Sequence, residues 1–209
     1  MPARRLVRHT CAVEIRRLGR DSLLVSVDDA TAALAVYREA RRRGVDAVDV
    51  VPATCTVLFD GVADVEALSS SLPSWQPDSD VATGDLVEVP TTYDGDDLDD
   101  VAELWGMTRD EAVSTHTSTE FVVAFCGFSP GFAYCTGLPD DLAVPRLDSP
   151  RAKVPAGSVG LAGPFTGIYP SPSPGGWRLI GRTSLELWDA DAETPATLPP
   201  GTRVRFVTA

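Results

Sequence analysis

The chain has 209 residues, with 18 Lys and Arg against 30 Asp and Glu and a formal net charge of −12. That balance argues against nucleic acid and anionic membrane surfaces as partners. A hydrophobic content of 44% supports a core in one large domain or two small ones, and four cysteines without CxxC spacing, beside two histidines, do not suit a zinc site.

No apolar run approaches a membrane span, and no apolar stretch follows MPARRLVRHT, so neither a membrane helix nor a signal peptide is expected. Free thiols in a reducing cytoplasm are the simple expectation. Alternation predicts a first strand over Cys11–Arg16, a turn at Gly19 and a second strand over Ser22–Val27. Asp28 or Asp29 caps a helix from about Thr31 to Arg43, with Ala33, Leu34, Tyr37 and Ala40 as its apolar stripe and Gly44 as its stop. Strands follow over Val45–Val51 and Thr54–Phe59. A second helix starts at Asp60, turns Val65, Leu68 and Leu72 inward and ends at Pro73. A closing strand at Asp85–Val89 would complete a ferredoxin-like layer. The stretch 73–85 is rich in Pro, Ser, Asp and Gly, so the boundary falls there and gives domains 1–84 and 85–209.

Asp94–Asp100 is acidic but lacks the twelfth-position Glu of an EF-hand loop, so capping by Asp96 or Asp97 is the expected role. Leu98, Val101, Ala102 and Trp105 form one helix face, ended by Gly106. Thr108 with Glu111 is a capping box for a short helix reaching His116. Thr119–Phe125 is apolar on both faces, as a buried strand would be. Leu185–Trp188 and Arg203–Val207 complete the predicted strands.

Between Cys126 and Arg182 lie nine of the 17 prolines and ten of the 17 glycines. Phe128, Phe132, Tyr134, Phe165, Ile168, Tyr169 and Trp177 are interleaved among them, so short strands joined by rigid turns are expected rather than disorder. Arg146, Arg151, Lys153, Arg178 and Arg182 face Asp140, Asp141 and Asp148, five cations minus three anions, a local balance of +2. Lys153 is the chain's one lysine. Such an island suits a small carboxylate or phosphate, or else its arginines pair with acids from the other half. Gly127–Gly131 reads G-x-S-x-G, but Pro130 lacks the N–H that an oxyanion hole needs after Ser129, and no helical stripe follows. No GxxxxGK[ST] is present, so an ATP site here would not be a P-loop. Gly157, Gly160 and Gly163 mark a tight strand–turn element or a backbone approach to a ligand.

GFSPGFAY, PR…SPR, VPAGSV, TGIYP, SPGGW and IGRT, in this order, resemble the B subunit of bacterial 5-oxoprolinase. That family is also called allophanate hydrolase subunit 1, includes the Kip-type histidine-kinase inhibitor, and is similar to part of the carboxyltransferase domain of urea carboxylase. The resemblance implies a cyclophilin-like β-barrel after the ferredoxin-like α+β domain, and ATP-dependent opening of 5-oxoproline to glutamate with A and C subunits, ATP and magnesium. Within that reading His116 handles a proton, and Arg151 with Arg146, Lys153 and Arg182 supplies positive potential. Tyr169 lines the substrate, and Phe128, Pro130, Gly131, Ser158, Thr166, Gly175, Gly176 and Trp177 form pocket or loop. Phe165 stands where the family often has Gln, which removes an amide able to bind a ligand. Cys135 replaces an aliphatic residue, Phe121 a frequent Tyr and Thr202 an acidic residue. The rivals are a regulator docking on a sensor kinase, a non-catalytic scaffold subunit, and a role in urea or allophanate metabolism. The absence of a biotin-acceptor lysine context weakens a self-contained carboxylase.

Overall fold

The computed structural model describes residues 14–78 and 84–209. The chain divides into two compact units, Met1–Pro77 and Asp78–Ala209, each with its own core. Cys11 and Val13 of the first predicted strand, and residues 79–83 of the predicted boundary, lie outside the described residues.

The first unit runs β1 (Glu14–Leu18), β2 (Ser22–Ser26), α1 (Ala30–Arg43), β3 (Asp49–Pro52), β4 (Thr56–Asp60) and α2 (Val65–Ser71). Asp29 caps α1, its carboxylate accepting the Ala32 N–H at 2.8 Å, and Gly44 ends it in the left-handed conformation. The sheet order is β1-β2-β4-β3, with all neighbours antiparallel. Leu23, Val25, Val57 and Phe59 face Ala33, Val36, Val65 and Leu68 in the core. Tyr37 of the expected stripe is only half-buried, and Val36 takes the inward place.

Three expectations need correction here. The strand predicted from Val45 begins at Asp49, because Val48 is held in a turn by the carbonyls of Asp60 and Gly61. The second helix begins at Val65 rather than Asp60. Asp60 belongs to β4 and accepts from the Ser22 hydroxyl at 2.7 Å, while Asp64 caps α2 at Ala67. The segment after Asp85 does not close this sheet. It pairs in parallel with the last strand of the second unit, and β1 holds the place beside β2.

The second unit contains β5 (Leu86–Thr91), α3 (Leu98–Trp105), α4 (Arg109–Ser118), β6 (Phe121–Cys126), β7 (Ala133–Thr136), β8 (Arg151–Val154), β9 (Ser158–Ala162), β10 (Phe165–Ile168), β11 (Ser173–Gly175), β12 (Arg178–Arg182) and β13 (Arg203–Thr208). Seven strands form one sheet in the order β12-β9-β10-β7-β6-β13-β5. Its two ends meet: Thr92, just after β5, and Arg182, at the end of β12, exchange backbone hydrogen bonds of 2.8 and 2.9 Å. The sheet is therefore a nearly closed barrel, which leaves little free edge. Strands β8 and β11 form a separate two-stranded ribbon.

Side-chain alternation gives the barrel two apolar layers. Ala133, Cys135, Val159, Leu161, Ile168 and Ile180 fill the interior with Phe121, Val123, Val204 and Phe206. Tyr134, Phe165, Tyr169 and Leu179 belong to a second cluster with Phe132, Trp177 and Val154 of the ribbon. The Thr108–Glu111 capping box forms as expected, and Gly106 stops α3. Leu185–Trp188 is not a strand. Its segment folds back on itself, with a single bridge from Trp188 to Ala196 and the Thr197 N–H on the Leu187 carbonyl.

The entry to α3 lies backbone to backbone on β12. A Cβ on Gly95 would overlap Leu179 O, Ile180 C and Gly181 N, none of which can rotate away. Gly95→Ala is expected to cost roughly 1–3 kcal/mol by overpacking. Gly127→Ala, where nothing lies within 4 Å of the added carbon, should stay within about 0.5 kcal/mol. Chemical unfolding of both variants measures the contrast.

Candidate functional site

The acidic segment and the cationic run turn out to be partners. Arg182 binds Asp94 at 2.9 Å, Arg151 binds both carboxylate oxygens of Asp97 at 2.7 and 2.8 Å, and Arg178 binds Asp100 at 3.0 Å. The three acids recur at every third residue around the start of α3. Asp97 is the buried member, and it also accepts the Leu179 N–H at 2.6 Å. It occupies the N-cap position of α3 but makes no side-chain cap bond, which corrects the capping role expected of it. Arg151 donates further to the Trp177 carbonyl and is 26% exposed. Of the five cations, Arg146 and Lys153 remain, both exposed, with neither hydrogen bond nor ion pair among the described residues.

Arg146 borders an aromatic wall. Tyr134 stacks on Phe125 with ring centres 4.4 Å apart and meets Phe165 and Trp177 edge-on at 5.7 and 5.4 Å. Phe132 meets Tyr169 and Trp177, each at 5.2 Å. Burial pushes the Tyr134 phenol up from its ordinary value, and the Arg146 charge partly offsets the shift. Burial likewise raises Tyr169, against the backbone of Trp177 and the Arg146 charge. Both phenols are therefore neutral hydrogen-bonding groups at pH 7. Gly175 is required beside them, since a Cβ there would overlap the Tyr169 hydroxyl. The Gly176 carbonyl accepts the Leu147 N–H at 2.8 Å and ties the Arg146 segment to the same wall. Tyr169 is 1% exposed and its hydroxyl is bonded to the Trp177 backbone, so it stands behind the wall and not on its open face, against the substrate contact expected of it. The open face offers one unpaired guanidinium, the half-buried Tyr134 phenol and the Phe165 ring, which suits a small planar carboxylate.

Two other predicted residues lie inside the barrel. His116, near the end of α4, is 1% exposed between Phe121 and Phe206. Its Nδ1 lies 2.7 Å from the Tyr93 hydroxyl and its Nε2 3.0 Å from Thr166 Oγ1. The Thr166 hydroxyl points to the Gly160 carbonyl at 3.4 Å. One tautomer satisfies the chain: Tyr93 donates to Nδ1, Nε2–H donates to Thr166, and Thr166 donates to Gly160. Burial holds the imidazole down at about 3 against its ordinary 6.5. His116 thus has no free nitrogen facing a ligand, and it supports β10 behind the aromatic wall.

The remaining predicted residues divide between wall and surface. Trp177 and Gly175 are buried in the wall, and Lys153 is exposed on β8. Ser158 is buried on β9, where its carbonyl accepts the Tyr169 N–H. Arg182 is exposed at the barrel seam with Asp94. Phe128 and Pro130 are exposed on the β6–β7 turn, and Gly131 packs on Leu187 and Trp188. Ser129 Oγ is buried and hydrogen-bonds no base. Burial pushes the Cys126 thiol up to about 11 and Cys135 higher still, so neither supplies a thiolate. Among the described residues no group of three or more His, Cys, Asp or Glu could hold a metal ion. Two members of this arrangement are absent from the predicted site. Tyr134 reads as core in the sequence, although its alternation with Ala133 and Cys135 marks it as facing the other way. Asp97 reads as a cap, although its spacing from Asp94 and Asp100 matches a surface that must receive cations.

Residues 13–198 match the family described as carboxyltransferase domain, subdomain C and D. The chain is 50% identical over 125 residues to the 5-oxoprolinase B subunit of Escherichia coli O157:H7, a match covering 58% of this chain and 57% of that protein. It is 40% identical over 157 residues to the 5-oxoprolinase B subunit of Haemophilus influenzae, covering 73% of this chain and 74% of that one. The first match thus spans little more than half of the relative's length. Among solved structures, the chain resembles TTHA0988 with a TM-score of 0.74 and 33% identity, over 91% of this chain and 40% of that one. It shares a fold with the urea amidolyase of K. lactis at a TM-score of 0.68 and 21% identity, over 94% of this chain and 15% of that one. No helix among the described residues is long and apolar enough to cross a membrane.

The buried imidazole sets a pH dependence. Its folded value lies below its unfolded one, so stability is whole above about 6.5 and falls as pH drops toward 3. Between pH 7 and pH 5 the loss is expected to be about 2 kcal/mol. Side-chain NMR should find His116 still neutral at pH 5 in the folded chain. Ser129 carries the second expectation: Ser129→Ala should keep activity within about tenfold, since losing a true nucleophile costs many orders of magnitude. Labelling of Ser129 by a fluorophosphonate would contradict it.

Proposed function

The chain belongs to the carboxyltransferase subdomain C and D family, and from that premise we propose that it is the B subunit of an ATP-dependent 5-oxoprolinase, active with A and C subunits in the cytoplasm. The observation that carries this reading is Arg146, exposed and unpaired among the described residues, beside the half-buried phenol of Tyr134. A 5-oxoproline carboxylate would pair with the Arg146 guanidinium, with Lys153 adding positive potential. The flat lactam would lie against the half-buried rings of Tyr134 and Phe165. Charge-assisted bonds of this kind contribute roughly 1.5–3 kcal/mol each. Phe165 gives the wall an apolar face, so the lactam amide would find its hydrogen bonds on the Tyr134 phenol or on another member of the complex.

Arg151 takes a positioning part in this reading. Its guanidinium is held by Asp97 and the Trp177 carbonyl, and it fixes the ribbon against the wall. His116 likewise acts through Thr166 on β10. ATP activation of the lactam oxygen is assigned to the assembled complex. The sequence contains no P-loop, so a nucleotide bound by this chain would need another kind of phosphate cradle. We read the barrel as cyclophilin-like. We read the first unit as a ferredoxin-like layer in which β1 takes the closing position.

A reconstituted mixture of A, B and C subunits should show 5-oxoproline-dependent ATP hydrolysis, and the isolated chain should show none. In that mixture Arg146→Lys keeps the charge but loses the planar fork, and kcat/KM should fall about ten- to a hundredfold with Tm unchanged. Arg151→Lys should instead lower Tm, because it leaves the buried Asp97 incompletely paired. Turnover of allophanate with 5-oxoproline ignored would overturn the substrate, and unchanged kinetics in Arg146→Lys would remove that residue from the site.

A further inference from the structure

The aromatic wall reaches solvent through the turn between β6 and β7. Phe128 has φ 69, the one non-glycine residue with positive φ among the described residues, and is 64% exposed. A bulky side chain is disfavoured in that conformation, which Gly or Asn adopts readily. The turn is nevertheless held by three backbone bonds: Ser129 N–H to Gly127, Phe132 N–H to Ser129, and Gly127 N–H to Phe132, at 2.8, 3.0 and 3.1 Å. Within the fold the Phe128 ring meets Phe132 edge-on at 5.4 Å and is otherwise largely exposed, and strained, exposed apolar residues concentrate at binding sites.

A second exposed ring starts beside it. Gly131 lies so close to Leu187 and Trp188 that an added Cβ would approach Leu187 O and Trp188 Cβ to 2.9 Å each, and Trp188 is 39% exposed. The loop bearing Trp188 carries Glu186, Asp189, Asp191 and Glu193, all exposed and without ion pairs among the described residues. No Lys or Arg occurs between Arg182 and Arg203. The contrast with Asp94, Asp97 and Asp100, each matched to an arginine, is direct.

We propose that Phe128 and Trp188 form the apolar centre, and the Glu186–Glu193 carboxylates the acidic rim, of the surface that docks the C subunit, which presents an apolar segment flanked by Lys or Arg. The proposal rests on the functional reading above. Charge complementarity selects the occupant: a second copy of this chain would bring its own −12 charge against the same four acids, whereas a basic segment is attracted to them. Aromatic anchors inside a polar rim are the usual anatomy of a protein interface. Docking here also meets the aromatic wall, since the Phe128 ring touches Phe132, which touches Tyr134, Tyr169 and Trp177.

Titration calorimetry of the full chain with purified C subunit, at low and high salt, tests this. Phe128→Asn should weaken binding at least tenfold while Tm holds or rises, since the strain is relieved. Asp189→Asn with Asp191→Asn should weaken binding and flatten its salt dependence. Wild-type binding that persists unchanged in both variants overturns this proposal and leaves the 5-oxoprolinase reading standing. A wild-type chain that does not bind the C subunit overturns both. A fall in Tm that accompanies the binding loss in Phe128→Asn makes that residue structural. In that event a flattened salt dependence in the Asp189/Asp191 variant still supports the acidic rim, and an unchanged one ends the proposal. Self-association that Phe128→Asn abolishes assigns the surface to a second copy and overturns the C subunit as occupant.

Discussion

The second unit depends on the carboxylate of Asp97. It is buried, and it receives two contacts from one guanidinium nitrogen of Arg151 and one from the backbone of Leu179. Burying a carboxylate without such partners would cost several kcal/mol, and these three contacts offset that cost. They join three elements distant in sequence: the start of α3, the ribbon strand β8, and the barrel strand β12. Asp94 and Asp100 flank it and add exposed pairs with Arg182 and Arg178, each worth about 0–1 kcal/mol. The outer pairs thus refine an alignment that the buried one sets. Because the acids consume three arginines, they also decide which cations stay available. The cations of the island left without a carboxylate partner among the described residues are therefore Arg146 and Lys153, a smaller and more local potential than the composition suggests.

The barrel turns that alignment into chemistry by separating its two faces. Strand alternation sends Thr166 inward to His116 and Phe165 outward to the aromatic wall, one residue apart on β10. A histidine that resembles an acid–base group in the sequence therefore lies on the far side of the sheet from the free arginine. Its low pKa follows from burial among Phe121 and Phe206, and its two hydrogen bonds satisfy it as a neutral ring. The hydroxyl–imidazole–hydroxyl line fixes β10 in place. That is the support a ligand wall needs if its geometry is to hold within fractions of an ångström.

What was legible in the sequence was local. Asp29, Gly44, Gly106 and the Thr108–Glu111 box each signal a helix end through bonds spanning a few residues, and each forms. Apolar periodicity places Leu98, Val101 and Ala102 inward for the same reason. The long-range pairings carry no such signal. Strand β5 reads equally well as the last strand of the first unit or the edge of the second, because alternation specifies a face and not a neighbour. The parallel pairing of Leu86–Thr91 with Arg203–Thr208 spans more than a hundred residues. Arg151 and Asp97 stand 54 residues apart, so their pairing shows only as two opposite excesses of charge in separate segments. Of the two alternatives for the cationic island, pairing with acids holds for three members, and Arg146 and Lys153 have no such partner among the described residues.

Gly127–Gly131 shows how geometry separates a motif from a mechanism. A nucleophile elbow places its strain on the serine, so that the hydroxyl stands clear of the turn beside a base and a free N–H. Here the left-handed residue is Phe128, one position earlier, and the serine hydroxyl is turned into the protein without a base. Pro130 supplies no N–H, and the chain returns as β7 instead of entering a helix. The missing N–H is a matter of sequence, and the turned-in hydroxyl goes with the shift of the left-handed position to Phe128. That shift removes the hydroxyl from the surface and puts an aromatic ring there in its place. The same five residues that would have made an acyl-transfer centre therefore present an exposed aromatic ring in place of a nucleophile.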